Sequence, residues 1–167
     1  MIYTAPRVVE ALLDFYTEYT LSAIRAIRDL PFHFFYIGDD VTDFVSPAHL
    51  DALWAPRHER IIRAAQETGR PILCHCCGPQ EDVLPYFERW GVSATHPLQA
   101  DRNDIYAVRE RYPNLTLVGN VDVNLLSFGT PAAVAADTLE HLERLGRAGR
   151  YVVCSSHSII DSVKPEN

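Results

Sequence analysis

No run of Lys or Arg interrupts this chain of 167 residues, whose formal net charge is −7. An acidic chain without a basic stripe does not have nucleic acid as its main partner. Long apolar runs are absent too: nothing approaches the ~20 consecutive apolar residues of a membrane span. The opening residues, Met1-Ile2-Tyr3-Thr4-Ala5-Pro6, lack the basic and apolar regions of a secretory signal, so a cytoplasmic protein is expected. No glycine-rich phosphate turn follows an apolar run, which argues against a dinucleotide cofactor. A disulfide framework is missing as well. Of the four cysteines, three crowd into positions 74–77; in a reducing cytosol such thiols are ligands, reactive groups or core.

What is present is enough apolar sequence, 47% of residues, for one domain with a real core, taken as 1–167. Helical and strand-like stretches alternate. Residues 6–29 carry apolar positions at helical spacing with Pro6 in the first turn. Phe32 to Ile37 reads as a buried strand closed by Gly38-Asp39-Asp40. Ser46-Pro47 is a cap followed by a helix-starting proline, and the helix runs to about Thr68, with Pro56 kinking or splitting it. Strand 71–75, a helix near 80–90, strand 92–96, a helix near 102–112 and strand 115–118 follow. Thr130-Pro131 starts a helix to about 146, and the last strand is 150–154. Five strands alternating with helices imply a parallel sheet in an α/β fold.

Two apolar runs end in soft ligands. Pro71-Ile72-Leu73 leads into Cys74-His75-Cys76-Cys77-Gly78, and Tyr151-Val152-Val153 into Cys154-Ser155-Ser156-His157. His75 and Cys77 are two apart, so in extended chain they share a side, and imidazole plus thiolate on one side is a zinc-type half-site. Cys74 and Cys76 have the opposite parity and are assigned to packing. The other polar residues of interest also follow strands: Asp39 and Asp40, His96, Asn120 and Asp122. That placement favours a (β/α)8 barrel, whose chemistry sits where the C-terminal strand ends converge, over an open doubly wound sheet. A full barrel takes about 250 residues, so five strands make part of one.

Four ordered stretches carry a family resemblance: Gly38-Asp39-Asp40 with Ser46-Pro47; His75-Cys76-Cys77-Gly78; Gly119-Asn120-Val121-Asp122 with Leu126, Gly129-Thr130-Pro131 and Val134; and Ser156-His157-Ser158-Ile159 leading to Pro165-Glu166-Asn167. In them the chain resembles the C-terminal half of the uroporphyrinogen decarboxylase superfamily, which includes the cobalamin-dependent, zinc-using methyltransferases. The resemblance implies a partial TIM barrel, with the first strands and a closing helix outside the chain.

In the methyltransferase branch a His-x-Cys pair and a later Cys bind zinc. By resemblance the metal ligands are His75 and Cys77, with Cys154, His157 or both completing the set. The implied activity moves a methyl group from a methylated corrinoid, carried by a partner protein, to a thiol-type acceptor. Asp39 and Asp40 are candidates for acid–base work or for orienting a ligand histidine. By resemblance His157 lines the pocket. His96 and Asn120 are the candidates for cofactor contact, with turn hydrogen bonds expected of Asn120 and Asp122.

Two other readings stand beside this one. The decarboxylase branch works on porphyrinogens in haem biosynthesis without a metal, but its arginine-rich N-terminal signature has no counterpart here. An inactive partial barrel or binding subunit would cover its exposed strand edges as a homodimer or with a separate N-terminal half.

Overall fold

The computed structural model describes residues 1–167. Helix α1 (Pro6–Ile27) enters with Pro6 in its first turn and buries Thr17, Leu21 and Ile24. Strand β1 (Phe35–Gly38) follows. It starts three residues later than the apolar run suggests. The cause is Arg70, whose guanidinium donates to the carbonyls of Arg28 (2.8 Å), Leu30 (2.9 Å) and Phe32 (3.0 Å) and covers the Phe32 ring at 4.2 Å. Backbone committed to that side chain cannot also join a ladder.

Next comes a short helix, α2 (Pro47–His49), capped by Ser46. It widens into a π-helical turn, Leu50–Trp54, before α3 (Ala55–Gln66). Pro56 sits in the first turn of α3. The helical backbone runs through the π-helical turn into α3 without a break, Ala55 N–H bonding to the Leu50 carbonyl, so Pro56 does not split the stretch. The widened turn sits just before the proline, which has no N–H to donate. Arg57 and Arg60 of α3 reach Asp14 and Glu18 of α1.

The remaining elements are β2 (Ile72–His75), α4 (Leu84–Trp90), β3 (Ala94–His96), α5 (Ile105–Arg111), β4 (Thr116–Val121), α6 (Val123–Phe128), α7 (Pro131–Leu145) and β5 (Tyr151–Ser155). Helix α4 begins later than residue 80 because residues 81–83 form a turn, the Gln80 carbonyl accepting from the N–H groups of Val83 and Leu84. Helix α5 begins after Asp104, whose carboxylate accepts from the N–H groups of Tyr106 and Ala107. Helix α6 has no counterpart in the sequence reading. At six residues it is too short for a periodicity, although its cap, Asp122, is of the usual type.

The five strands form one parallel sheet in the order β1-β2-β3-β4-β5. No strand order reverses, so the doubly wound alternative, which needs a switch point, is excluded. Sequential parallel order with intervening helices is the barrel-type pattern. One face is covered by helices: Phe35, Ile72, Cys74 and Leu117 of the strands join Ile62, Ala65, Leu84, Phe87 and Ile105 in the main core. The other face carries Tyr36, His75, His96, Val152 and Cys154, and it is open; Tyr36 is 55% and Val152 51% exposed. The outer edges of β1 and β5 have no strand partner. No helix is long and apolar enough to cross a membrane.

Candidate metal centre

Alternation along β2 builds the centre. Ile72 and Cys74 turn into the core, each 1% exposed, so His75 turns to the open face. Cys76 is buried as well, and Cys77 returns beside His75, its Sγ 3.3 Å from His75 Nε2. The expected parity therefore holds beyond the strand. Burial pushes the Cys74 thiol up to about 12 and raises that of Cys76. Both are inert packing thiols.

Asp40 completes a cluster. In the sheet register Gly38 faces His75, which carries the chain two residues on over the end of β2. Asp40 Oδ1 accepts from the Cys77 N–H (2.7 Å) and lies 3.7 Å from His75 Nε2. One ligand atom from each of Asp40, His75 and Cys77 lies within 4.8 Å of the others. In a tetrahedral site, zinc bonds of ~2.0–2.3 Å place neighbouring donors about 3.3–3.8 Å apart. The separations of His75 Nε2 from Cys77 Sγ, 3.3 Å, and from Asp40 Oδ1, 3.7 Å, fall within that range, and nitrogen, sulfur and oxygen donors are all zinc ligands. The donor set fits.

The loop that holds Cys77 is tied from several sides. The Thr42 hydroxyl donates to the Cys77 carbonyl (2.8 Å). Gly78 has φ +82°, and a Cβ there would collide with Thr42 and Asp43. Gln80, fully buried, donates through Nε2 to the carbonyls of Cys76 (2.7 Å) and His96 (3.2 Å), while its Oε1 accepts from Thr95. This amide locks the ends of β2 and β3 together.

His96 ends β3 directly across from His75. The ring centroids are 5.0 Å apart, the two Nδ1 atoms 2.8 Å. On its other side His96 Nε2 lies 3.8 Å from Cys154 Sγ on β5, so His96 stands between His75 and Cys154. Burial, then His96's neighbour His75, lowers the His96 imidazole; burial also lowers His75, with Asp40 opposing and His157 adding to the shift. Both rings are thus neutral near pH 7, the form that offers a lone pair to a cation. Cys77 is raised to about 11, by burial first and by Asp40. A bound cation reverses that order, because the thiolate is then the favoured form.

The structure distributes the other candidates unevenly. His157 is exposed and near enough to His75 to influence its charge; its carbonyl accepts from the Ser155 hydroxyl. Asp39 turns the opposite way from Asp40. Its Oδ2 accepts from Trp54 Nε1 (2.7 Å) and lies 3.8 Å from His58 Nδ1, and burial raises its carboxyl. Asn120 is buried, its Oδ1 2.7 Å from His141 Nε2. Asp122 caps α6, the structural role expected for this turn.

Sequence reasoning missed Tyr36 and Gln80. The Tyr36 ring lies 5.6 Å from that of His75 and 6.4 Å from that of His96. Its hydroxyl is raised by burial and by Cys77, Asp40 and Cys154, so it faces the whole cluster. The only available signal was strand parity, since Tyr36 is two residues before Gly38, the partner of His75.

A parallel, barrel-type α/β sheet with a His–Cys–Asp donor cluster at its C-terminal strand ends defines a class of pocket in which polar chemistry sits at the mouth. The chain belongs to the uroporphyrinogen decarboxylase (URO-D) family, whose profile matches residues 1–167. Among curated proteins it is similar to the methylcobamide:CoM methyltransferase MtbA of Methanosarcina mazei, 27% identical over 145 residues covering 85% of this chain and 42% of that protein. MtbA of Methanosarcina acetivorans is 26% identical over 137 residues, 80% of this chain and 40% of that protein. Among solved structures a methyltransferase from Methanosarcina mazei superposes with TM-score 0.76 at 20% identity, covering 94% of this chain and 45% of that one. The chain thus spans less than half the length of these relatives.

Proposed function

We propose that this chain carries the zinc-binding part of a cytoplasmic corrinoid-dependent methyltransferase, which passes a methyl group from a methylated corrinoid to a thiol. The observation that carries the reading is the cluster of Asp40, His75 and Cys77 donors within 4.8 Å of one another. Similarity to two methylcobamide:CoM methyltransferases supports the methyl-transfer branch of the family. His75 Nε2 and Cys77 Sγ would hold the zinc, with Asp40, His157 or Cys154 filling the set. When bound, zinc lowers the pKa of an acceptor thiol and keeps it as thiolate.

The chain's own residues do the rest. Gln80 and Thr42 fix the loop that presents Cys77. Tyr36 walls the cluster on the β1 side. The open face beside these residues is where a corrinoid-carrying partner would approach. The unpaired edges of β1 and β5 support pairing with further strands, from a second copy or another segment.

The test is zinc content of the purified protein by elemental analysis, with Cys77→Ser alongside. About one zinc per chain, lost in Cys77→Ser, is expected. A protein that stays metal-free after zinc supplementation would remove the metal reading and leave decarboxylation, which uses no metal, as the better assignment within the family.

A further inference from the structure

We propose that His96 is a positioning residue: it accepts a hydrogen bond from Nδ1–H of His75 and so holds His75 in the tautomer whose Nε2 faces the metal cluster. The inference rests on the metal reading above and adds a residue to it.

The geometry separates the two ring nitrogens of His75. Nε2 faces Cys77 Sγ at 3.3 Å and Asp40 Oδ1 at 3.7 Å. Nδ1 faces away from them, 2.8 Å from His96 Nδ1. Only one proton fits between two ring nitrogens at that distance. If it belongs to His96, a neutral His75 must carry its own proton on Nε2, and that nitrogen cannot bind a cation. If it belongs to His75, Nε2 keeps its lone pair and His96 accepts at Nδ1. A metal-bound histidine usually gives its other N–H to a carboxylate, carbonyl or water, which sets ring orientation and basicity. Here an imidazole stands in that place.

The same choice fixes the far end. A neutral His96 that accepts at Nδ1 carries its proton on Nε2, and Nε2 lies 3.8 Å from Cys154 Sγ. Cys77, His75, His96 and Cys154 thus lie in a row across the open face, from the end of β2 through β3 to β5. The arrangement is built into the sheet. His75 and His96 are register partners. The His96 carbonyl accepts from the Cys76 N–H (3.0 Å) and from Gln80 Nε2 (3.2 Å), and the Tyr36 ring lies against both imidazoles.

The experiment has two readouts. The first is a long-range proton–nitrogen NMR spectrum of protein with labelled histidines, recorded without metal and with one equivalent of Zn²⁺, with His96→Asn used for assignment. The second is zinc affinity by chelator competition for wild type, His96→Phe, His96→Asn and His96→Gln, with unfolding curves to confirm that each variant folds. The proposal expects His75 protonated at Nδ1 and His96 at Nε2. It expects His96→Phe to weaken zinc binding roughly 10–100-fold, the range for loss of an outer partner. Rescue is expected from Asn, whose side-chain oxygen can stand where Nδ1 stood, and not from Gln.

Unchanged zinc affinity in a folded His96→Phe would overturn it, as would a proton on His96 Nδ1. Two imidazoles per metal in the X-ray absorption spectrum of wild type, falling to one in His96→Phe, would also overturn it by making His96 a direct ligand. If wild type binds no zinc, the metal reading fails by itself, and the metal-free spectrum still decides which ring owns the shared proton.

Discussion

His58 lies stacked on Trp54 with ring centroids 4.5 Å apart, and burial drives its imidazole from 6.5 down to about 4. Between those values the unfolded chain binds a proton that the folded chain refuses. Stability therefore falls as pH drops from 6.5 to about 4, by about 3 kcal/mol over the full shift. His75 and His96, also lowered, act in the same direction. Asp39, raised by burial and facing His58, acts in the opposite one. His58→Phe keeps the stack and removes the titration, so thermal midpoints should decline less steeply between pH 6.5 and pH 4. An unchanged slope would assign the acid sensitivity to the His75–His96 pair. At this scale the sequence revealed His75 and Cys77, because a two-residue spacing at a strand end fixes their side. It left Asp39 and Asp40 equivalent; what separates them is the Trp54 indole, 15 positions from Asp39, and the Cys77 N–H, 37 positions from Asp40. Gln80 was illegible for the same reason: its partners, Thr95 and the His96 carbonyl, come from another strand.

Arg70 binds the connection between α1 and β1 from the start of β2, through three carbonyls and the Phe32 ring. Lysine offers a point charge rather than a planar fork, so Arg70→Lys should cost about 1.5–3 kcal/mol in denaturant unfolding. A loss near zero would mean that water replaces the guanidinium without penalty. Gly119 sets a second constraint. It lies within β4 at φ +146°, and a Cβ there would run into the Pro97 carbonyl oxygen. Gly119→Ala should therefore push β3 and β4 apart and destabilise by several kcal/mol, on the scale of severe overpacking; a midpoint within a degree of wild type would contradict this. Strands and long helices were legible as elements because apolar runs and cap-and-proline starts are local signals. Their edges were not. The true start of β1 depends on Arg70, and the helix runs on past Pro56 through a widened turn that no local signal announces.

The sequential sheet places β3 at the centre, with β1 and β5 each paired on one side only. Hydrogen exchange should be slowest for the ladder amides of β3 and fastest for the outward-facing amides of β5. Strong protection of those outer amides at high concentration, lost on dilution, would instead reveal pairing between chains. The open face has a further consequence, for the strength of charge at the cluster. Two unit charges 4 Å apart attract by about 1 kcal/mol in water and about 4 kcal/mol at an effective dielectric constant of 20. As the chain stands, Asp40 and Cys77 are seen partly through solvent. Any surface that closed over Tyr36 and Val152 would amplify every electrostatic interaction among Asp40, His75 and Cys77 several-fold, with no change in a single one of their distances.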